Sequence, residues 1–184
     1  GLAARVGADV ALANDPDADR LGAAIPTSAG GWRRLTGDEL GWLLADHILS
    51  HTTGEDRLVV TTLVSSSLLG RMASAAGVHH AETFTGFKWI ARVIREHPDQ
   101  RFVFGYEQAL GYLVAPRPLD KDGITAAVLM AEIAAVAAED GTTLQARLDD
   151  IAARYGRHVI ADRSVMMEPA RAAERVRELL ADPP

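Results

Sequence analysis

Cysteine is absent from this 184-residue sequence, which excludes disulfides and thiolate metal sites and fits a cytoplasmic protein. No apolar run approaches the roughly 20 residues needed to span a bilayer, so no membrane partner is expected. Basic residues are the minority: 19 Lys and Arg against 25 Asp and Glu leave a net charge of −6 and argue against nucleic acid as a partner. Lysine is scarcer still, since only Lys88 and Lys121 stand beside 17 arginines. In so arginine-rich a chain, a lysine marks a place where a compact, mobile ammonium serves better than a planar guanidinium. Aromatic residues make up 5%, and Trp32, Trp42 and Trp89 read as packing residues rather than a stacking platform for bases.

What the sequence does have is acid in one place. "DPDADR", residues 15 to 20, sets Asp15, Asp17 and Asp19 at alternate positions after the apolar run "VALAN", which reads as a short buried strand. Carboxylates packed this closely repel one another unless they face water or share a cation. Their hard oxygen donors suit Mg²⁺ or Mn²⁺ better than a soft metal, and the end of a strand in an α/β sheet is where ligands bind. A calcium EF-hand loop counted from Asp15 fails, because Arg20 and Pro26 occupy the places of its glycine and glutamate. A Mg²⁺-dependent phosphatase of the aspartyl-phosphate type, with Asp15 as nucleophile and Asp17 as acid/base, passes this first test. It needs a downstream acidic pair at a strand end, and "LDD" at 148 to 150 instead sits in an amphipathic helix. Activity toward p-nitrophenyl phosphate that Asp15→Asn abolishes would mark that phosphatase.

The rest of the chain alternates. "TGDELGWLLADHILSH" opens with a capping box from Thr36 to Glu39 and carries Leu40, Leu43, Leu44 and Ile48 at helical spacing. "RLVVTTLV" reads as a strand, "SSSLLGRMASAAG" as a helix capped within Ser65 to Ser67 and stopped at Gly77, and "VHHAET" as a strand on which His79 and His80 face opposite ways. "GFKWIARVIREH" is helical, "RFVFGYE" is a third strand, and two helices separated by Gly141 follow. A last amphipathic helix starts after Pro169. The order predicts an α/β fold, a layered mixed sheet with flanking helices. Small and glycine residues at 27 to 31 mark one expected boundary and "ADRSVMMEP" a second, which divides the chain into 1–30, 31–161 and 162–184. At this length, with domains commonly about 100 to 200 residues, one full domain and a piece of another are expected. The start at Gly1 fits a fragment of a longer protein.

Polar loops fall at the strand ends. In "TFTGFKW", free N–H groups near Gly86 are suited to an anion, and Lys88 adds charge, although Gly86 also reads as a simple turn residue. In "GYEQALGY", Glu107 interrupts an apolar stretch; a carboxylate there accepts hydrogen bonds from vicinal sugar hydroxyls, or stands as a surface acid. "DKDG" offers Lys121 between two acids, with Asp122 also readable as a helix cap.

Taken in order, "DPDADR", "TFTGFKW", "GYEQALGY" and "DKDG" resemble the α-D-phosphohexomutases, the phosphoglucomutase and phosphomannomutase family. The resemblance implies four domains in the full enzyme, of which this chain holds the end of domain 2 (1–30), the sugar-recognition domain 3 (31–161) and a linker and helix toward the fourth (162–184). It implies that Asp15, Asp17 and Asp19 hold Mg²⁺, that Arg20 helps hold the transferring phosphoryl group, and that Lys121 lies near the reacting oxygens. It also implies that Thr85 and Gly86 contact the sugar, that Lys88 belongs to that substrate-binding motif, and that Glu107 grips sugar hydroxyls. The implied reaction interconverts glucose or mannose 1-phosphate and 6-phosphate through an enzyme phosphoserine and a bisphosphate. The phosphosugar and the missing N- and C-terminal domains would be its partners.

Two departures bear on specificity. Many members carry a serine two residues after the sugar-gripping glutamate, where this chain has Ala109. The form with Glu107, Gln108 and Ala109 looks more like the branch acting on glucose 1,6-bisphosphate and pentose phosphates, so a phosphopentomutase is an alternative. Pro16 replaces a common glycine in the metal loop and stiffens it without changing the ligands. The family's Ser-His-Asn-Pro stretch is not in this sequence, so the chain alone is expected to bind metal weakly and not to turn over. A non-catalytic sugar-phosphate binding module is the remaining alternative.

Overall fold

A computed structural model of the chain describes residues 1–160 and 166–182. Elements run in the order α1 (Leu2–Val6), β1 (Ala11–Asn14), β2 (Leu21–Pro26), β3 (Trp32–Arg34), α2 (Gly37–His51), β4 (Arg57–Thr62), α3 (Leu68–Ala75) and β5 (His79–Thr83). They continue through α4 (Phe87–Glu96), β6 (Arg101–Glu107), β7 (Gly111–Leu113), α5 (Gly123–Glu139), α6 (Leu144–Tyr155) and α7 (Pro169–Ala181). The expected α/β layering is present. The main sheet has the order β5-β4-β6-β7, with β4 parallel to both neighbours and β7 antiparallel to β6, so it is mixed.

Burial explains the layers. Every residue of central strand β4 is buried, and its side chains alternate between two cores. Val59 packs with Leu40, Leu44, Leu69, Met130 and Leu148 from α2, α3, α5 and α6, while Leu58 and Val60 meet Phe87 and Ile90 of α4 on the other face. The buried Arg57 closes two helix ends at once, donating to the carbonyls of Leu49 in the last turn of α2, of Thr52 just after it and of Ala76 just after α3. The Thr36–Glu39 capping box forms as expected: Glu39 N–H donates to Thr36 Oγ1 at 3.1 Å and Thr36 N–H to the Glu39 carboxylate at 2.8 Å.

Other expectations are corrected. "VALAN" is not a buried strand: β1 begins at Ala11, is half-buried to exposed, and pairs antiparallel with β2 in a small separate sheet, β1-β2-β3. Residues 27–31, the first expected boundary, form the turn joining β2 to β3, which leaves the division at 30/31 as an expectation. Strand β7 was not expected, because three residues of an aromatic-glycine hairpin carry no period. The N-cap of α3 is Ser67 but its side chain makes no cap bond; Ser66 Oγ accepts from Leu68 N–H instead, and Ser65 faces elsewhere. The boundary expected at "ADRSVMMEP" falls largely on 161–165, outside the described residues.

Two histidines make stability depend on pH. His47 is buried on α2, stacks on His51, and sets Nε2 3.3 Å from Glu132 of α5. Burial first, and then the neighbouring His51, lower its pKa despite Glu132, and burial likewise lowers that of His80. The unfolded chain therefore takes up protons more readily, and stability is expected to fall as pH drops below about 6.5, the ordinary histidine value. Thermal unfolding between pH 8 and 5.5 measures this, and His47→Gln should flatten the dependence; an unchanged profile would contradict the assignment.

Candidate functional site

The three aspartates converge. Asp15, Asp17 and Asp19 lie in the turn between β1 and β2, and one carboxylate oxygen from each falls within 4.8 Å of the others. The turn is shaped by a hydrogen bond from Ala18 N–H to the Asp15 carbonyl at 3.0 Å and by Ala18 itself at φ +59°. A non-glycine residue in the left-handed region costs on the order of 1 kcal/mol, and the rest of the loop holds it there. Asn14 donates from its side chain to the Arg20 carbonyl at 2.7 Å, closing the loop at its base.

Two cations sit on the acids. Arg20 Nε is 2.6 Å from Asp15 Oδ2 and its backbone N–H is 3.1 Å from Asp15 Oδ1. That backbone hydrogen bond, helped by the guanidinium, outweighs partial desolvation and holds the Asp15 carboxyl below its ordinary range. The same pairing raises the Arg20 pKa. Lys121 Nζ reaches Asp19 Oδ2 at 2.9 Å and Asp120 Oδ1 at 3.4 Å. Partial burial disfavours its charge, but the hydrogen bond to Asp19 and the nearby carboxylates win, and its pKa is raised. Asp17 makes no ion pair among the described residues.

Glycine lets Lys121 through. Its stem crosses Gly111, where an added Cβ would lie 2.6 Å from Lys121 Cδ, and its ammonium stands 5.4 Å from the centre of the Phe87 ring. Phe87 opens α4 directly after Gly86, whose backbone N–H donates to the Glu107 carboxylate at 2.5 Å. The lysine thus connects the acidic loop to the loops carrying Gly86 and Glu107. A second connection is backbone: Leu21 N–H donates to the Leu110 carbonyl at 3.0 Å and Arg20 bridges Gly111.

The N-terminus of α5 closes the cluster from below. Asp122 is indeed a helix cap, accepting from the N–H groups of Ile124 and Thr125. Gly123 N–H donates to the Ala18 carbonyl at 3.2 Å, and a Cβ at Gly123 would meet the Arg20 carbonyl oxygen at 2.4 Å. The positive end of a 17-residue helix thereby packs against the backbone of the loop that carries the three carboxylates.

Not every expected residue joins. Thr85 is exposed beside Gly86, and Lys88 is exposed with its ammonium 5.4 Å from the centre of the adjacent Trp89 ring. Sequence reading missed a buried polar set under the Glu107 loop. Tyr106 donates to Asp38 Oδ1 at 2.7 Å, Ser66 N–H donates to the same oxygen at 2.8 Å, and Tyr112 donates to the Gly37 carbonyl at 3.0 Å. Burial and then the Asp38 charge push both tyrosine pKa values far up, so both stay donors. The available signal was an aspartate in the first turn of α2, which reads on its own as an ordinary helix-dipole partner.

A mixed sheet packed by α2, α3, α5 and α6 on one face and by α4 on the other is a three-layer α/β/α domain, to which the acidic loop is tied through Lys121 and the Leu21–Leu110 backbone bond. Residues 36–155 match the family model described as phosphoglucomutase/phosphomannomutase, alpha/beta/alpha domain III, and the chain belongs to that family. It is 38% identical over 168 residues to mouse (Mus musculus) phosphopentomutase, an alignment covering 86% of this chain and 27% of that protein. It is 37% identical to a Staphylococcus epidermidis phosphoglucomutase, covering 84% of this chain and 29% of the relative. Among solved structures, the open form of parafusin, a Paramecium phosphoglucomutase, superposes with a TM-score of 0.63 at 22% identity, covering 82% of this chain and 25% of that one, a likeness of fold. The chain thus spans between a quarter and a third of the length of these relatives.

Proposed function

We propose that this chain is the metal-loop and sugar-recognition portion of a cytoplasmic phosphosugar mutase that moves a phosphoryl group between the 1-position and the terminal hydroxyl of a sugar. Within it, 1–30 would close a second domain, 31–161 form the third, and 162–184 lead toward a fourth. The observation that supports the reading is Lys121, which pairs with Asp19 and stands 5.4 Å from the centre of the ring of Phe87, the residue after the Gly86 that donates to Glu107. The family match and the mutase relatives support it.

Three carboxylates with converging oxygens fit a hard divalent cation, and the Arg20 backbone N–H holds the Asp15 carboxyl below its ordinary range. Mg²⁺ bound there would supply charge neutralisation for the phosphoryl oxygens. Phosphoryl transfer depends on position and fixed positive charge more than on covalent help from the protein. Arg20 and Lys121 supply that charge at the rim of the acidic loop. Glu107, fixed by Gly86 N–H, presents acceptor lone pairs to sugar hydroxyls shared by both orientations of the substrate. Thr85 and Lys88 flank this sugar-facing end. A pentose phosphate is the second reading, favoured by Ala109 and by the phosphopentomutase relative.

The test is an assay of the longer enzyme encoded with this chain on glucose, mannose and ribose 1-phosphates. Mg²⁺-dependent interconversion of at least one pair is expected, with Glu107→Gln lowering kcat/KM about 100-fold. The 184-residue chain alone should not turn over. No interconversion by the longer enzyme, or Glu107→Gln within about twofold of wild type, would overturn the proposal.

A further inference from the structure

The serines after β4 were expected to cap α3, yet Ser65 bonds elsewhere. Its Oγ lies 2.8 Å from Thr62 Oγ1, accepts from Gln108 N–H at 3.1 Å, and donates to Gln108 Oε1 at 3.0 Å. Gln108 directly follows Glu107, so both the backbone and the side chain of the next residue are held by one hydroxyl. The turn that presents Ser65 is itself fixed, because Ser65 N–H donates to the Thr62 carbonyl at 3.0 Å. On its other side, Leu63 N–H donates to the Thr83 carbonyl at 2.9 Å, at the end of β5. Since β4 lies between β5 and β6, this short turn touches both neighbours: the strand leading to Gly86 and the strand ending in Glu107.

We infer that Ser65 is a positioning residue that fixes the Glu107 loop relative to the Gly86 turn, and so sets how well the site holds a sugar. It touches no reacting atom; it acts through Gln108. This rests on the reading of Glu107 as the sugar-gripping carboxylate. Removing the hydroxyl leaves Glu107 and its Gly86 bond in place but frees the backbone that orients them. The loss therefore falls on binding shared by ground state and transition state, which raises KM and spares kcat.

The experiment uses the longer enzyme and whichever of glucose, mannose or ribose 1-phosphate it turns over. Ser65→Ala is expected to raise KM about three- to tenfold with kcat changed less than about twofold, and Ser65→Thr, which keeps the hydroxyl, to restore KM. A purely structural serine would lower the amount of folded enzyme and the apparent kcat instead. If Ser65→Ala does not fold, Gln108→Met, which removes the side-chain acceptor, should raise KM in the same direction. An unchanged KM in the variant that folds, together with a large loss in Glu107→Gln, would overturn the inference and leave the mutase reading standing. An inert Glu107→Gln would overturn both.

Discussion

Asp17→Asn is expected to weaken Mn²⁺ binding to the chain about tenfold or more, as read by calorimetric titration, because affinity of an oxygen site follows the charge of its ligands. Asp17 is the informative member of the three. Asp15 and Asp19 are each held by a cation, so changing either also frees Arg20 or Lys121, whereas Asp17 has no such pair among the described residues. The cations compete with metal for the same oxygens. Lys121→Met should therefore tighten Mn²⁺ binding while slowing phosphoryl transfer in the longer enzyme, a pair of opposite signs that simple damage to the loop would not give. In that enzyme Asp17→Asn should cost about two to three orders of magnitude in kcat. The pH range follows from Asp15: a carboxyl held below its ordinary range keeps its ligand form, and its share of stability, above about pH 4 and loses both as pH falls through the folded value. Equal Mn²⁺ affinity for wild type and Asp17→Asn would remove the acidic loop from consideration as a metal site.

Gly37→Ala should be among the most destabilising single-methyl changes in the chain. An added Cβ would stand 1.8 Å from the carbonyl oxygen of Gln108 and 2.6 Å from its carbonyl carbon. Both are backbone atoms, so no side-chain rotation relieves the overlap; α2 or the Glu107 loop must move. The Gly37 carbonyl also accepts from Tyr112, and the next residue, Asp38, accepts from Tyr106, so movement of the helix start strains those bonds as well. A loss of about 3 kcal/mol is expected, at the upper end of overpacking costs, which for a domain of this size lowers Tm by about 6–12 °C. Circular dichroism melting measures it. Gly77→Ala is a useful contrast, because nothing lies within 4 Å of its Cβ and only the positive φ of 63° opposes it. A Tm drop at Gly37 no larger than at Gly77 would show that the loop gives way easily.

The elements with a long period were legible from sequence. α2, α4, α5 and α6 announce themselves by helical spacing, and β4 and β6 by β-branched and aromatic runs between turns. The small sheet was not, because "LGAAIP" is built from residues with little strand preference, and the alternation of Leu21, Ala23 and Ile25 shows only once their burial is known. At the candidate site, Asp15, Asp17 and Asp19 were visible because charge that dense is rare, and Lys121 because lysine is rare here. What joins them was hidden. Gly111 and Gly123 read as turn residues, and their part in admitting the lysine stem and the start of α5 is a matter of three-dimensional approach. Asp38 and Ser65 each looked like a local helix-end residue, and their partners Tyr106 and Gln108 lie 68 and 43 positions away.

The backbone bond from Leu21 to Leu110, with the Arg20–Gly111 bridge, has a mechanical consequence. It ties the strand leaving the aspartates to the hairpin that follows Glu107, so the span between the acidic loop and the Glu107 carboxylate acts as a ruler of fixed length. In the proposed mutase, neighbouring domains would present or withdraw a phosphoryl donor without stretching that ruler. On that proposal, a substrate that reacts at both of its ends would turn over between two stationary stops.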